Sequence, residues 1–135
     1  MNNEYYFALS KARIERAAEL YEESKMLLEK EAYKSANNRA FYAIEKSIKA
    51  LLATEQVEVT THNGGLKQFN FIFIHKGDGT FTSDDYREIA HAEQIRNASD
   101  YDDFYVTSKQ EAKEQVDAAK RFVEKVKKET VNNSV

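Results

Sequence analysis

Hydrophobic and small residues between Ser35 and Leu52 recur with a helical period and mark two faces of one helix. The first face is an apolar stripe at steps of three and four residues, which is typical of a helix packed on a core. Its members are Phe41, Ile44, Ile48 and Leu51. The second face carries small side chains, which let a neighbouring helix approach closely. Its members are Ala36, Ala40, Ala43, Ser47 and Ala50.

A third face of the same segment is basic and aromatic, with Arg39, Tyr42, Lys46 and Lys49. These side chains are too polar for a core, so this face is predicted to lie at the surface. A helix with two packing faces must contact several neighbours. The pattern therefore predicts a central helix over about residues 33–53.

Helical periods also flank this central segment. Residues 5–29 alternate a charged face with an apolar face that includes Phe7, which predicts a first helix. Thr82 or Ser83 followed by Asp84 and Asp85 predicts the start of a fourth helix that reaches about residue 98, because acids are favourable at the positive end of the helix dipole.

The C-terminal part is predicted to contain a break and a last helix. Residues 99–108 have no helical period, and Ser108 with Glu111 then forms a capping-box signature before a long apolar stripe. The tail, residues 130–135, is predicted to fray. No internal repeat or long linker divides the chain, so we expect one domain over residues 1–135, with a core of about 5–127.

The segment FNFIFI, residues 69–74, is ambiguous. Leu66, Phe69 and Phe73 fit helical spacing and predict a helix, but a buried strand of this length would have a similar pattern. In the connector before it, residues 54–65, the alternating Val57 and Val59 hint at a strand with no evident partner.

Composition narrows the fold class and the kinds of site. With no proline and only four glycines, the chain is predicted to be all-α. The absence of cysteine excludes disulfides and thiolate zinc sites, and no two of the three histidines have the i,i+4 spacing of a helical metal pair, so no cofactor is predicted.

No apolar run has the length of a membrane span, which predicts a soluble cytoplasmic protein. The net charge of −3 argues against a dedicated nucleic-acid binder but leaves room for a local basic groove.

Arg96 is the anomaly in the pattern, because it projects between Ile89 and Ala92 on the apolar side of the fourth helix. A guanidinium on a buried face needs a partner, since it stays charged and keeps all its donors. One hypothesis is a structural clasp with a following acid, such as Asp100. The other is an anion site in which Arg96 binds a phosphate.

Two further groups of residues have equally open interpretations. Arg39 and Tyr42 are three residues apart and could bind a phosphate and a base, or could be a salt-bridged arginine beside a packing tyrosine. Tyr101, Phe104 and Tyr105 could stack on bases or could fill a gap in the core.

The order of several sequence blocks resembles the HEPN domain family, and in particular its small stand-alone prokaryotic UPF0332-like branch. The blocks are Arg39-Ala40-Phe41-Tyr42-Ala43, Thr61-His62, and Arg96 with Asp100-Tyr101. The resemblance covers most of residues 5–127 and implies an up-and-down bundle of four to five helices that forms a homodimer. For many relatives it also implies metal-independent endoribonuclease activity and a nucleotidyltransferase antitoxin partner.

The ribonuclease motif of that family is only half present. It consists of an arginine, often followed by a polar residue, and a histidine after four to six further residues. Arg96-Asn97 matches the first half, but the three positions for the histidine hold Tyr101, Asp102 and Asp103. A tyrosine with a pKa of about 10 is a poor base at neutral pH.

The resemblance therefore implies two functions from different classes. The first is an RNA-directed toxin or effector, in which Arg96 binds the scissile phosphate, Asn97 orients it and Tyr101 contacts or stacks on the RNA. Arg39, Tyr42 and Lys46 would line the RNA groove. The second is a non-catalytic nucleotide- or partner-binding module, in which Arg96 and Asp100 form a structural clasp at a dimer groove.

Overall fold

The structure, a computed structural model, describes residues 3–133 and contains five α-helices in that range. They are α1 (Asn3–Glu29), α2 (Tyr33–Thr54), α3 (His62–Phe69), α4 (Ser83–Tyr101) and α5 (Lys109–Asn133). A π-helical segment, Asn70–His75, continues α3 directly. The prediction of an all-α bundle is confirmed, and no strand is present among the described residues.

Helices α1 and α2 pack as an antiparallel pair through the small-residue face of α2. Near one end of the pair, the Ser10 hydroxyl donates a hydrogen bond to the Ala50 carbonyl at 2.8 Å. Toward the other end, Arg39 forms an ion pair with Glu23 at 3.2 Å. All five small residues of this face are fully buried, so the close approach that they permit is used. Helix α5 packs against both members of the pair.

An aromatic cluster joins α3 and the chain that follows it to α5. The ring of Phe69 lies 5.5 Å from Phe81 and 5.7 Å from Phe122, both in edge-to-face geometry. Phe73 stacks on Phe69 at 6.1 Å and lies 6.0 Å from Phe81. Such ring pairs stabilise a core beyond the apolar area that they bury. The segment that could have been a strand is thus helical and buried on one side.

The π-helical segment ends against a glycine that the backbone requires. A Cβ atom at Gly77 would lie 2.0 Å from the Phe73 carbonyl oxygen, a distance that no side chain can tolerate. The wider π turn brings this carbonyl close to the following chain. Any other residue at position 77 would therefore force the turn open.

Two helices end without glycine or proline, through the same hydrogen-bond pattern. After α1, Ala32 N–H donates to the Leu27 carbonyl and Glu31 N–H to the Leu28 carbonyl, with Glu31 at a φ of 63°. After α2, Gln56 has a φ of 58° and occupies the equivalent position. This is the Schellman arrangement, with a non-glycine residue in its left-handed position.

The structure corrects several boundaries. Helix α4 continues to Tyr101, beyond the predicted end at residue 98, so Asp100 and Tyr101 are helical. Helix α5 continues to Asn133, so the frayed tail predicted from residue 130 is helical over most of its length. Residues 134–135 and the side chain of His62 lie outside the described residues.

One prediction about packing was wrong, and the hint of a strand in the connector is not confirmed. Phe7, expected on the core face of α1, is 50% exposed. Val57 forms no strand and, like Val59, packs against the helical core. None of the helices within residues 3–133 is long and apolar enough to cross a membrane.

Candidate nucleic-acid interface

Arg96 lies between α4 and α2, and only 14% of its side chain is exposed. Its guanidinium carbon is 5.5 Å from the ring centroids of both Phe41 and Tyr42. Its Nη2 also donates a hydrogen bond to the Tyr42 hydroxyl at 3.3 Å. Since a cation close to ring faces is attracted by their quadrupoles, these contacts from α2 fix the position of the guanidinium.

Asp100 is the acidic partner of Arg96, one helical turn further along α4. Its Oδ2 lies 3.0 Å from the Arg96 Nε, and its side chain is 25% exposed. The Nε–H forms no hydrogen bond, so it does not point at the carboxylate and the contact is an ion pair. Burial alone would lower the pKa of Arg96. The Tyr42 hydrogen bond and the Asp100 charge outweigh it, so that the pKa is raised overall. Arg96 is therefore permanently charged.

Asn97 and Tyr101 occupy the solvent side of the same helix. Asn97 is exposed, and Tyr101 is 79% exposed. The charge of ionised Tyr101 contributes to the raised pKa of Arg96, so the two side chains are within electrostatic reach of each other. The structure thus groups the three predicted catalytic residues at one end of α4, with Arg96 held firmly and the other two free to contact a ligand.

The predicted groove residues of α2 face two different neighbours. Arg39 leans toward α1, where Glu23 accepts its ion pair at 3.2 Å. Tyr42 leans toward α4 through its contacts with Arg96. Lys46 is near Arg13 and Arg16 of α1, and burial followed by the charges of Lys49, Arg13 and Arg16 lowers its pKa. The stripe therefore connects α1 to the Arg96 site and is half-exposed along its length.

The loop beyond α4 exposes an unusual amount of apolar surface next to Arg96. Phe104 is 93% exposed and Val106 is 85% exposed. Nearby, the hydroxyls of buried Ser99 and Thr107 have no hydrogen-bond partner within the described residues. Exposed apolar side chains beside unpaired polar atoms are typical of a surface that another molecule covers.

One contact anchors this loop to α5. The Tyr105 hydroxyl donates a hydrogen bond to the Glu111 carboxylate. Burial raises the pKa of Tyr105 to about 12, and Glu111 adds to the shift. The predicted capping box is therefore only half present, since Ser108 Oγ accepts from the Glu111 N–H at 3.0 Å while the Glu111 side chain binds Tyr105.

Sequence reasoning missed two residues of this surface. Arg13 and Arg16 belong to the charged face of α1, which periodicity alone identifies as a solvated face. The structure places both beside the polar stripe of α2. The helical spacing of three between them was visible in the sequence, but the pairing of α1 with α2 was not.

Comparisons with known proteins place this arrangement in a family. A family model described as the HEPN domain matches residues 10–129. The chain belongs to the HEPN domain family.

Curated relatives agree with this assignment. The protein "Putative toxin MJ0605" of Methanocaldococcus jannaschii is 35% identical over 118 residues, which are 87% of this chain and 85% of the relative. "Putative toxin MJ0142" of the same organism is 30% identical over 122 residues, 90% of this chain and 82% of the relative. A UPF0332 protein of Thermotoga maritima is 29% identical over 118 residues, 84% of each chain.

Compared with the family's ribonuclease motif, this surface has the arginine but no histidine at the expected positions. Tyr101 stands at the first position where the family motif has a histidine. His91 is exposed on α4, five residues before Arg96 and about 140° around the helix axis from it. No group of three or more histidine or carboxylate side chains suited to a metal occurs among the described residues. The geometry can therefore hold a phosphate and stack a base, whereas activation of a 2′-hydroxyl needs a further group.

Proposed function

We propose that this HEPN chain is the RNA-directed effector of a toxin–antitoxin or defence pair and acts in the cytoplasm. The observation that carries the proposal is Arg96, a permanently charged guanidinium held against the rings of Phe41 and Tyr42, just over one helical turn before the exposed Tyr101. The names of two relatives, which describe toxins, support the same role. A rigid cation beside exposed aromatic rings suits a single-stranded RNA, whose phosphate it binds while the rings stack on bases.

In this proposal each residue of the site has a separate role. Arg96 binds the scissile phosphate, because its remaining N–H groups can donate to two oxygens. Asn97 orients the phosphate, and Tyr101 contacts a ribose or stacks on a base. Tyr42, which touches Arg96, continues the binding surface along α2 toward Arg39 and Lys46. If the chain cleaves RNA, it does so as a metal-independent endoribonuclease.

The exposed loop supports a homodimer as the active form. Tyr101, Phe104 and Val106 are all exposed within six residues of chain, and the buried hydroxyls of Ser99 and Thr107 on either side of them in sequence have no partner among the described residues. A second copy would cover the apolar surface and bring two Arg96 sites together, where each could complete the other. A nucleotidyltransferase antitoxin, expected from the family, would then bind outside this contact. Sedimentation of a Phe104→Asp variant tests the dimer: a wild type that is already monomeric at micromolar concentration contradicts it.

A second function is favoured by one specific observation. Asp100 already pairs with Arg96 at 3.0 Å, and Tyr101 stands where the family motif would have its first histidine position. These two facts suit a non-catalytic nucleotide- or partner-binding module, in which Arg96 and Asp100 hold α4 in place.

Cleavage of a mixed RNA pool by the purified protein in EDTA separates the two functions. For an effector we expect cutting that falls at least about a hundredfold in Arg96→Ala, because a donor to a developing oxyanion contributes roughly that much. Arg87→Ala, on the exposed side of α4, is the matched control. Wild-type protein that dimerises but leaves RNA intact contradicts the effector and supports the binding module.

A further inference from the structure

We propose that α1 and α2 carry a second phosphate-binding element, a basic ridge formed by Arg13, Arg16, Lys46 and Lys49, which binds the backbone of single-stranded RNA. This inference rests on the proposed RNA-directed function and extends it to a part of the molecule outside the HEPN motif. It assigns a role to α1, whose charged face otherwise has none.

The antiparallel pairing of the two helices puts these four side chains opposite one another. Arg13 Nη1 donates to the Lys49 carbonyl at 3.2 Å, which fixes residue 13 beside residue 49. At the other end of the pair, Glu23 meets Arg39. Both contacts have residue numbers that add to 62, so the same register places Arg16 beside Lys46. Two cations of α1 thus face two cations of α2.

Carboxylates compensate the arginines of the ridge but leave Lys46 unpaired. Arg13 has an ion pair with Glu58 at 3.2 Å. Arg16 has ion pairs with Glu19 at 3.0 Å and with Glu23 at 3.2 Å. Lys46 has no ion pair within residues 3–133. The ridge therefore keeps an excess of positive charge in a chain whose net charge is −3.

The pKa of Lys46 reflects this excess of positive charge. Burial lowers the pKa of Lys46, and the charges of Lys49, Arg13 and Arg16 lower it further. Like charges that face each other destabilise a folded protein, and a carboxylate in the place of one lysine would remove the penalty. An anion that binds between the helices removes it as well, and phosphate groups have the required charge and acceptors.

The ridge leads toward Arg96, which favours RNA over an isolated anion. Along α2, the polar stripe from Arg39 to Lys49 is about 15 Å long at the helical rise of 1.5 Å per residue. Tyr42 belongs to this stripe. It is uncharged, but its hydroxyl accepts a hydrogen bond from Arg96. A single strand that lies on the ridge can therefore pass over the Tyr42 ring to reach the Arg96 guanidinium.

The test is the salt dependence of RNA binding by a double variant, Lys46→Gln with Lys49→Gln. The probe is a fluorescent, mixed-sequence, single-stranded RNA, titrated with the full chain between 0.05 and 0.3 M salt, roughly the range over which counterion release is measured. Each lost phosphate contact lowers the slope of log K against log salt by about 0.7. For two contacts we expect a loss of about 1.4 in slope and roughly 25-fold in affinity at about 0.1 M salt.

The matched control is Lys127→Gln with Lys128→Gln, which removes the same two charges from an exposed part of α5. Its slope and affinity should stay close to those of the wild type. Equal effects in both double variants would overturn the ridge, since they would reflect net charge alone. Thermal melting serves as the folding control, and the ridge variant should melt no lower than the wild type because it loses repulsion.

The outcomes also separate the ridge from the proposed function. Arg96-dependent cleavage that the ridge variant retains, with unchanged RNA affinity, overturns the ridge and leaves the function in place. A wild-type chain that binds no RNA at any salt concentration contradicts both. Binding lost in the ridge variant but kept in Arg96→Ala supports the ridge and shows that the two sites bind RNA separately.

Discussion

Arg96 on α4 and Lys46 on the polar face of α2 are both partly buried cations, yet the charges around them have opposite signs. Arg96 contacts two rings, a tyrosine hydroxyl and the Asp100 carboxylate, all of which favour its charge. Lys46 is surrounded by Lys49, Arg13 and Arg16, which disfavour its charge. The fold stabilises one cation and tolerates the other.

This difference separates two ways in which a protein can hold a positive charge for a ligand. A cation with fixed partners is preorganised, so a phosphate meets it in one geometry. A cation among like charges has no fixed partner and gains the most when an anion arrives. The first arrangement suits the recognition of one phosphate, and the second suits non-specific attraction of a backbone. Removing the charge of Arg96 should therefore lower the stability of the fold, whereas removing the charge of Lys46 should raise it.

The largest effect is expected from Arg96→Ala. The change removes the ion pair and both ring contacts and leaves Asp100 without its partner, so we expect a loss of about 2 kcal/mol in the free energy of unfolding. Urea denaturation measures it. Arg87→Ala, which breaks an exposed pair with Asp84, should change stability by less than about 0.5 kcal/mol. Equal stability of wild type and Arg96→Ala would show that these contacts do not hold α4 in place.

A smaller effect should follow from Asp100→Asn, which leaves Arg96 without a paired carboxylate, as Lys46 is within residues 3–133. We expect a stability loss of about 1 kcal/mol, since the ion pair goes but the ring contacts stay. If Arg96 binds phosphate, its affinity for single-stranded RNA should rise because the competing carboxylate is absent. Fluorescence titration measures this, with Asp103→Asn as the control for net charge. Reduced stability with unchanged RNA affinity would identify the Arg96–Asp100 pair as a purely structural clasp.

Most of the fold could be predicted from local patterns. The bounds of α1 and α2 follow from their apolar periods, and Thr82 with Asp85 forms the capping box that starts α4. The end of α4 could not be predicted, because Ser99, Asp100 and Tyr101 carry no apolar period. The helix nevertheless continues through these residues, Ser99 is buried in it, and the ion pair between Arg96 and Asp100 spans its last turn.

The candidate site could be predicted only where one helix contains all of it. The position of Arg96 on the apolar side of α4 follows from 100° steps along the sequence. Its contact with Tyr42 depends on how α4 packs on α2, and the ridge depends on the register of α1 against α2. A register between two helices is decided by long-range packing. For that reason Arg13 and Arg16 could not be distinguished from any other charged face.

On the ridge, Lys46→Gln should raise stability by about 0.5 kcal/mol, because it removes repulsion from three neighbouring cations. The pKa of Lys46 is lowered in the folded state, so its penalty is fully present well below that pKa and disappears as the pH rises through it toward 10.5. The advantage of the variant should therefore shrink as the pH rises from 7 to about 10.5. Urea denaturation at several pH values measures it. A variant that is less stable at pH 7 would show that Lys46 is favourably paired.

The smallest change concerns the loop beside Arg96, which Tyr105 anchors. Its pKa is raised to about 12, first by burial and then by Glu111, so the neutral phenol is the form that the fold favours. The stability that this group contributes is complete below about pH 10, where the unfolded chain has not ionised, and is lost between about pH 10 and 12. A tyrosinate absorbance titration should show a late step that Tyr105→Phe removes and Tyr101→Phe retains. A late step that survives in Tyr105→Phe would mean that Tyr105 does not anchor the loop through Glu111.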